Sequence, residues 1–155
     1  MAVILSGNEL SQRLTGEQTE RVKALKAQGI HPGLAVVLVG EDPASQIYVR
    51  NKGIACEAIG IHSQTIRLPE DADQAQLEDT IQRLNEDKKI SGILVQLPLP
   101  KGLDEDAALA KILPEKDVDG FHLINAGKLF TGQETVIPCT PKGILYMLKE
   151  AGIPL

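Results

Sequence analysis

Tyr48 and Lys52, four residues apart, open the chemical reading of this 155-residue chain. In an α-helix of about 3.6 residues per turn they share one face, so a phenol and an ammonium project into the same space. The pair lies just past the carboxyl end of a strand-like run, where open α/β sheets place their ligands. Gln96 adds an amide that could orient the amine. Asp117-Val-Asp119-Gly120 adds two carboxylates on one side of an extended segment, able to hold a metal, cap a turn or accept paired N–H donors. Each feature has a plain structural alternative: Lys52 could snorkel, Gln96 could end a strand, and two acids beside a glycine commonly make a turn. Metal is the weakest reading, because no acids at calcium-loop spacing follow and His31, His62 and His122 stand at no ligand spacing. Ser45 and Cys139 as nucleophiles lack a G-x-S-x-G elbow or a cysteine–histidine arrangement.

The elements that must position these groups follow from the apolar pattern, in which short β-branched runs alternate with longer amphipathic stretches. The expected helices are Gln12 to Gln28, Pro43 to Ile59, Asp73 to Glu86, Glu105 to Ile112 and Pro141 to Ala151. The expected strands are Leu34 to Val39, His62 to Leu68 and Ile90 to Val95, the last stopped by Pro98 and Pro100. Residues 114 to 138 read as loop. Asp42 as N-cap with Pro43 in the first turn, and Gly60 as terminator, frame the helix carrying Tyr48 and Lys52. On a wheel of about 100° per residue, Ile54, Ile47, Ala58, Ala44, Ala55, Tyr48 and Ile59 form one apolar arc, with Lys52 at its edge and Asn51 inside it needing partners. Gln96 emerges at the sheet edge where that helix begins, the carboxyl edge at which open α/β sheets bind ligands. An α/β, three-layer domain with a small, mostly parallel sheet is expected.

Composition sets the outer limits. A hydrophobic share of 43% and a charged share of 24% are those of a globular domain, and 155 residues suffice for one core. The net charge of -5 and an aromatic content of 3% argue against nucleic acid as a partner. No apolar run approaches the roughly 20 residues of a membrane span, and no leader pattern opens the chain, so a cytoplasmic location is expected. Cys56 and Cys139 stand at no metal or redox spacing and are expected as thiols. Gly152-Ile-Pro-Leu155 reads as a domain boundary.

Five blocks together resemble the bifunctional methylenetetrahydrofolate dehydrogenase/cyclohydrolase family. They are Gly40-Glu-Asp-Pro-Ala-Ser45, Tyr48-Val-Arg-Asn-Lys52, Gly92-Ile-Leu-Val-Gln-Leu-Pro-Leu-Pro100, Pro114-Glu-Lys-Asp-Val-Asp-Gly120 and Pro138-Cys-Thr-Pro141. Each is weak alone; their order and spacing are specific. The resemblance covers residues 1 to 155 and implies the N-terminal, folate-binding catalytic domain, with the fold of the aminoacid-dehydrogenase-like N-terminal domains. Family members continue into a Rossmann domain that binds NADP, expected to be absent here: no two glycines lie two residues apart, so G-x-G-x-x-G cannot occur.

Carried over position by position, the resemblance implies that Lys52 is the catalytic lysine of the cyclohydrolase step, which opens 5,10-methenyltetrahydrofolate to 10-formyltetrahydrofolate. It implies that Tyr48 packs on the folate and that Gln96 bonds the lysine. Val95, Leu97 and Pro98 match the segment along the pterin, and Asp119 the residue that recognises it. The parent is expected to be a homodimer that also oxidises 5,10-methylenetetrahydrofolate with NADP, while this chain alone is expected to be weakly active or inactive. The reading from another class is a small-ligand-binding or assembly module that kept the fold and lost catalysis. A reading frame running past Leu155 into a glycine-rich turn would favour the enzyme.

Overall fold

The structure, a computed structural model, describes residues 4–154. Helix α1 (Gly7–Ala27) leads to β1 (Gly33–Val39), α2 (Pro43–Ile59), β2 (His62–Leu68), α3 (Gln74–Glu86) and β3 (Gly92–Val95). Three further helices follow: α4 (Glu105–Lys111), α5 (Leu123–Phe130) and α6 (Cys139–Glu150). The strands form one parallel sheet in the order β2-β1-β3, with Leu34 opposite Ser63 on one side and Gly92 on the other. Central β1 is apolar throughout because helices cover both faces, as parallel sheets require. Alternate side chains go to opposite faces. Ala35, Val37 and Val39, with Ile93 and Val95, pack against Leu77, Ile81 and Leu84 of α3 and Ala108 of α4. Val36, Leu38 and Leu94 pack on Val49 of α2, with Val118 beside them. The result is the expected three-layer domain.

Capping explains several boundaries. Asp42 accepts from the Ser45 N–H at 2.7 Å, Pro43 fills the first turn, and Gly60 closes α2 at φ 83°, a left-handed conformation that glycine adopts freely. Asp73 and Gln76 form a reciprocal capping box at the start of α3. Helix α1 begins five residues before the expected Gln12, because Ser6 caps it. Strand β3 starts at Gly92, not Ile90, whose N–H instead bonds Asp87 O in a turn. The larger correction is α5, within the stretch read as loop. Its buried residue is the polar Asn125, while Leu123 and Phe130 are 80% and 93% exposed, so its apolar residues mark no inward stripe.

The stretch after α4 also extends the sheet. Ile93 N–H donates to Lys116 O at 2.7 Å, and Ile93 bridges Asp117 in parallel fashion, so residues 116–118 lie beside β3 like a short fourth strand. Gly92 makes this approach possible: a Cβ there would stand 2.3 Å from Val118 Cγ1. Gly92→Ala is therefore expected to destabilise the domain by roughly 1–3 kcal/mol through overpacking, read as a lower denaturant midpoint. An unchanged midpoint would mean that Val118 gives way without cost.

Among the described residues, no helix is long and apolar enough to cross a membrane.

Candidate active site

Gln96 is the first residue past β3, and its N–H donates to Val37 O at 2.9 Å, tying the strand end to β1. Its Nε2 donates to Leu97 O at 2.7 Å, which leaves Oε1 facing away from that carbonyl. Lys52 donates its Nζ to this Oε1 at 2.9 Å, across 44 residues of sequence. The amide thus holds the amine by its acceptor end, as the sequence suggested.

Lys52 reaches that position because it lies on the sheet-facing stripe of α2, in line with the buried Ser45, Val49 and Cys56. The apolar arc drawn on the wheel is not what the sheet covers. Ile47, Tyr48 and Ile54 are 53%, 61% and 58% exposed, whereas the inward stripe uses short side chains that let helix and sheet approach. Asn51, inside that arc, is exposed to water and needs no protein partner. The Tyr48 ring is therefore open to a ligand, with Lys52 Nζ 5.9 Å from its centroid, at the outer reach of a cation–π contact.

Asp119 closes the group. It is half-buried just past the strand-like segment beside β3, and Lys52 and Asp117 both act on its charge. Burial pushes its carboxyl above the usual carboxylate range; the Lys52 ammonium opposes this, and the Asp117 carboxylate adds to it. The two aspartates do not converge on a common ligand. Asp117 is 3% exposed and turns inward, accepting from the N–H groups of Gly120 and His122 and from Asn125 Nδ2.

The segment expected along the ligand divides in two. Val95 is 2% exposed and part of the core, and Leu97 packs partly against it. Pro98, joined to Leu97 by a cis peptide bond, is exposed. Pro98 is thus the side chain of this segment most open to a ligand, Gln96 and Leu97 are half-buried, and Val95 lies in the core. Sequence reasoning missed Lys116 and Asn125, which anchor the Asp119 segment from behind. A lysine among charged residues and an asparagine in an aperiodic stretch carry no sequence signal of such a role.

Together these groups make an open shelf: a ring for stacking, a carboxylate for paired N–H donors, and an amine held by an amide for proton transfer. The family model "Tetrahydrofolate dehydrogenase/cyclohydrolase, catalytic domain" matches residues 5–119. The bifunctional protein FolD of Bacillus cereus (strain B4264) is 53% identical over all 155 residues, which are 54% of its own length. The solved structure of the bifunctional enzyme FolD, methylenetetrahydrofolate dehydrogenase/cyclohydrolase, from Campylobacter jejuni superimposes with a TM-score of 0.95 at 46% identity, over 97% of this chain and 54% of that one. The Trypanosoma brucei N5,N10-methylenetetrahydrofolate dehydrogenase-cyclohydrolase, solved with NADP cofactor and inhibitor, gives a TM-score of 0.92 at 37% identity, over 97% of this chain and 52% of that one. The chain spans about half the length of the curated relatives it matches.

Proposed function

The chain belongs to the tetrahydrofolate dehydrogenase/cyclohydrolase family, and from that premise we propose that it is the folate-binding catalytic half of a bifunctional enzyme. The parent oxidises 5,10-methylenetetrahydrofolate with NADP and hydrolyses the methenyl product to 10-formyltetrahydrofolate. The observation that carries this reading is the Lys52–Gln96 hydrogen bond of 2.9 Å on the shelf that Tyr48 and Asp119 share. Tyr48 packs on the folate, and Asp119 accepts the two parallel N–H donors of the pterin's guanidine-like edge, a bidentate match that fixes orientation. Pro98 and Leu97 flank the pterin over Val95. Lys52 moves the proton as water adds to the methenyl carbon, with Gln96 holding the amine in place.

The first strand-to-helix turn of this chain does not suit the pyrophosphate of a nicotinamide cofactor. The turn from β1 into α2 is Gly40-Glu-Asp-Pro43, and Asp42 already occupies the α2 N-terminus through Ser45 N–H, so a pyrophosphate would meet acid instead of free N–H groups. A further Rossmann domain of the parent binds NADP, and the isolated chain reduces none. On the same reading the parent is a cytoplasmic homodimer of one-carbon metabolism, with no nucleic-acid partner.

Calorimetric titration of folic acid into the chain tests the site. Binding is expected, and it should tighten as pH rises, because the bidentate contact needs the ionised Asp119. The midpoint should lie above the ordinary carboxyl value of 3.8, since burial raises that carboxyl. Asp119→Asn should remove this part of the pH dependence. A pH response identical in both proteins would detach Asp119 from the pterin.

A further inference from the structure

The Asp119 carboxylate can recognise a ligand only if its direction is fixed, yet its segment joins β3 through a single bridge. What fixes it lies behind the shelf. Asp117 Oδ1 accepts from Gly120 N–H at 2.9 Å, and its Oδ2 accepts from His122 N–H and from Asn125 Nδ2, both at 2.9 Å. Asn125, 4% exposed, donates also to Pro114 O at 2.8 Å and accepts from Thr135 Oγ1 at 3.0 Å. On the other side, Lys116 Nζ donates to the carbonyls of Leu84, Asn85 and Asp87, at 3.0, 2.7 and 2.9 Å. Those carbonyls end α3, where unpaired oxygens carry partial negative charge and favour a cation.

We propose that Lys116, Asp117 and Asn125 are positioning residues, a buried clamp that aims the Asp119 carboxylate across the shelf toward the space beside Lys52. The proposal rests on the folate reading of Asp119. An exposed turn would need only a glycine and a short polar side chain. Here a carboxylate is buried instead, which is costly unless every lone pair is served, and it is served from the turn, from the residue before α5 and from α5 itself. Lys116 ties the same segment to α3, and Val118 wedges against Gly92. Residues on each side of Asp119 are therefore held to different elements, so the clamp fixes the backbone from which its carboxylate projects.

Simple stabilisation of the loop makes a different prediction, and a double-mutant cycle on folic acid binding to the chain separates the two. Asp117→Asn sets an amide N–H either against the Gly120 N–H or against the donors of both His122 and Asn125, and is expected to weaken binding roughly tenfold. In an Asp119→Asn background the same change is expected to alter affinity by less than about twofold, because the group it aims is already spoiled. Equal losses in both backgrounds, or no loss in either, overturn the clamp. Should Asp117→Asn fail to fold, Asn125→Ser removes donors on the side away from the shelf. It is expected to weaken binding roughly threefold, again only with Asp119 intact. If the unaltered chain does not bind folic acid, the folate reading falls and takes this role with it. If it binds and the cycle shows no coupling, only the clamp falls.

Discussion

In the full-length parent, Lys52→Met is expected to slow hydrolysis of the methenyl bridge by roughly 10²–10⁴-fold, the usual contribution of a placed proton-transfer group, while folate affinity stays within a few-fold. Methionine keeps the length and the apolar stem that α2 lays over the sheet, so packing around Val49 and Cys56 survives. What disappears is the ammonium and its bond to Gln96 Oε1. That oxygen is half-buried, and water can replace the lost donor, so no buried acceptor is stranded. The ring of Tyr48 and the carboxylate of Asp119 remain to hold the folate. The measurement is turnover of 5,10-methenyltetrahydrofolate beside equilibrium binding of a folate. Unchanged turnover would reduce Lys52 to a stem that covers the sheet edge and sends its amine to water.

The sequence carried the fold wherever burial and hydrophobicity coincide. β1 is legible because Val-Val-Leu-Val is apolar on both faces, and α2 because Asp42, Pro43 and Gly60 mark its ends. It misled where they part company. The inward stripe of α2 is Ser45, Val49 and Cys56, which hydrophobicity ranks below Ile47 and Ile54, because close helix–sheet approach selects small volume over apolar character. Helix α5 was hidden for a related reason, since its inner contact is the amide of Asn125. The site shows the same division. Tyr48, Lys52, Gln96 and Asp119 could be paired from spacing, sheet topology and family likeness. The opposite fates of Asp117 and Asp119 could not be read, because an extended Asp-x-Asp puts both acids on one side until Gly120, at φ 72°, turns the chain back onto the first.

Asp119→Ala is expected to lower folate affinity roughly 30- to 1,000-fold, the equivalent of about 2–4 kcal/mol for two charge-assisted hydrogen bonds lost together. Fold stability should respond in the other direction. Burial, the largest influence on this carboxyl, holds its folded pKa above the unfolded one, with Asp117 adding to the rise and Lys52 opposing it. Between those two pKa values the folded chain binds more proton than the unfolded chain, so stability falls as pH rises through that window and stays lower above it. Removing the carboxyl removes the deficit. At neutral pH the variant should therefore melt at or above the temperature of the unaltered chain, and its relative advantage should shrink as pH falls through the window toward 3.8. Thermal melts across that pH range, run beside folate titrations, read both effects. A variant that binds folate poorly and also melts lower at neutral pH would mean that Asp119 supports the fold, and its loss of binding would then say nothing about recognition of the pterin.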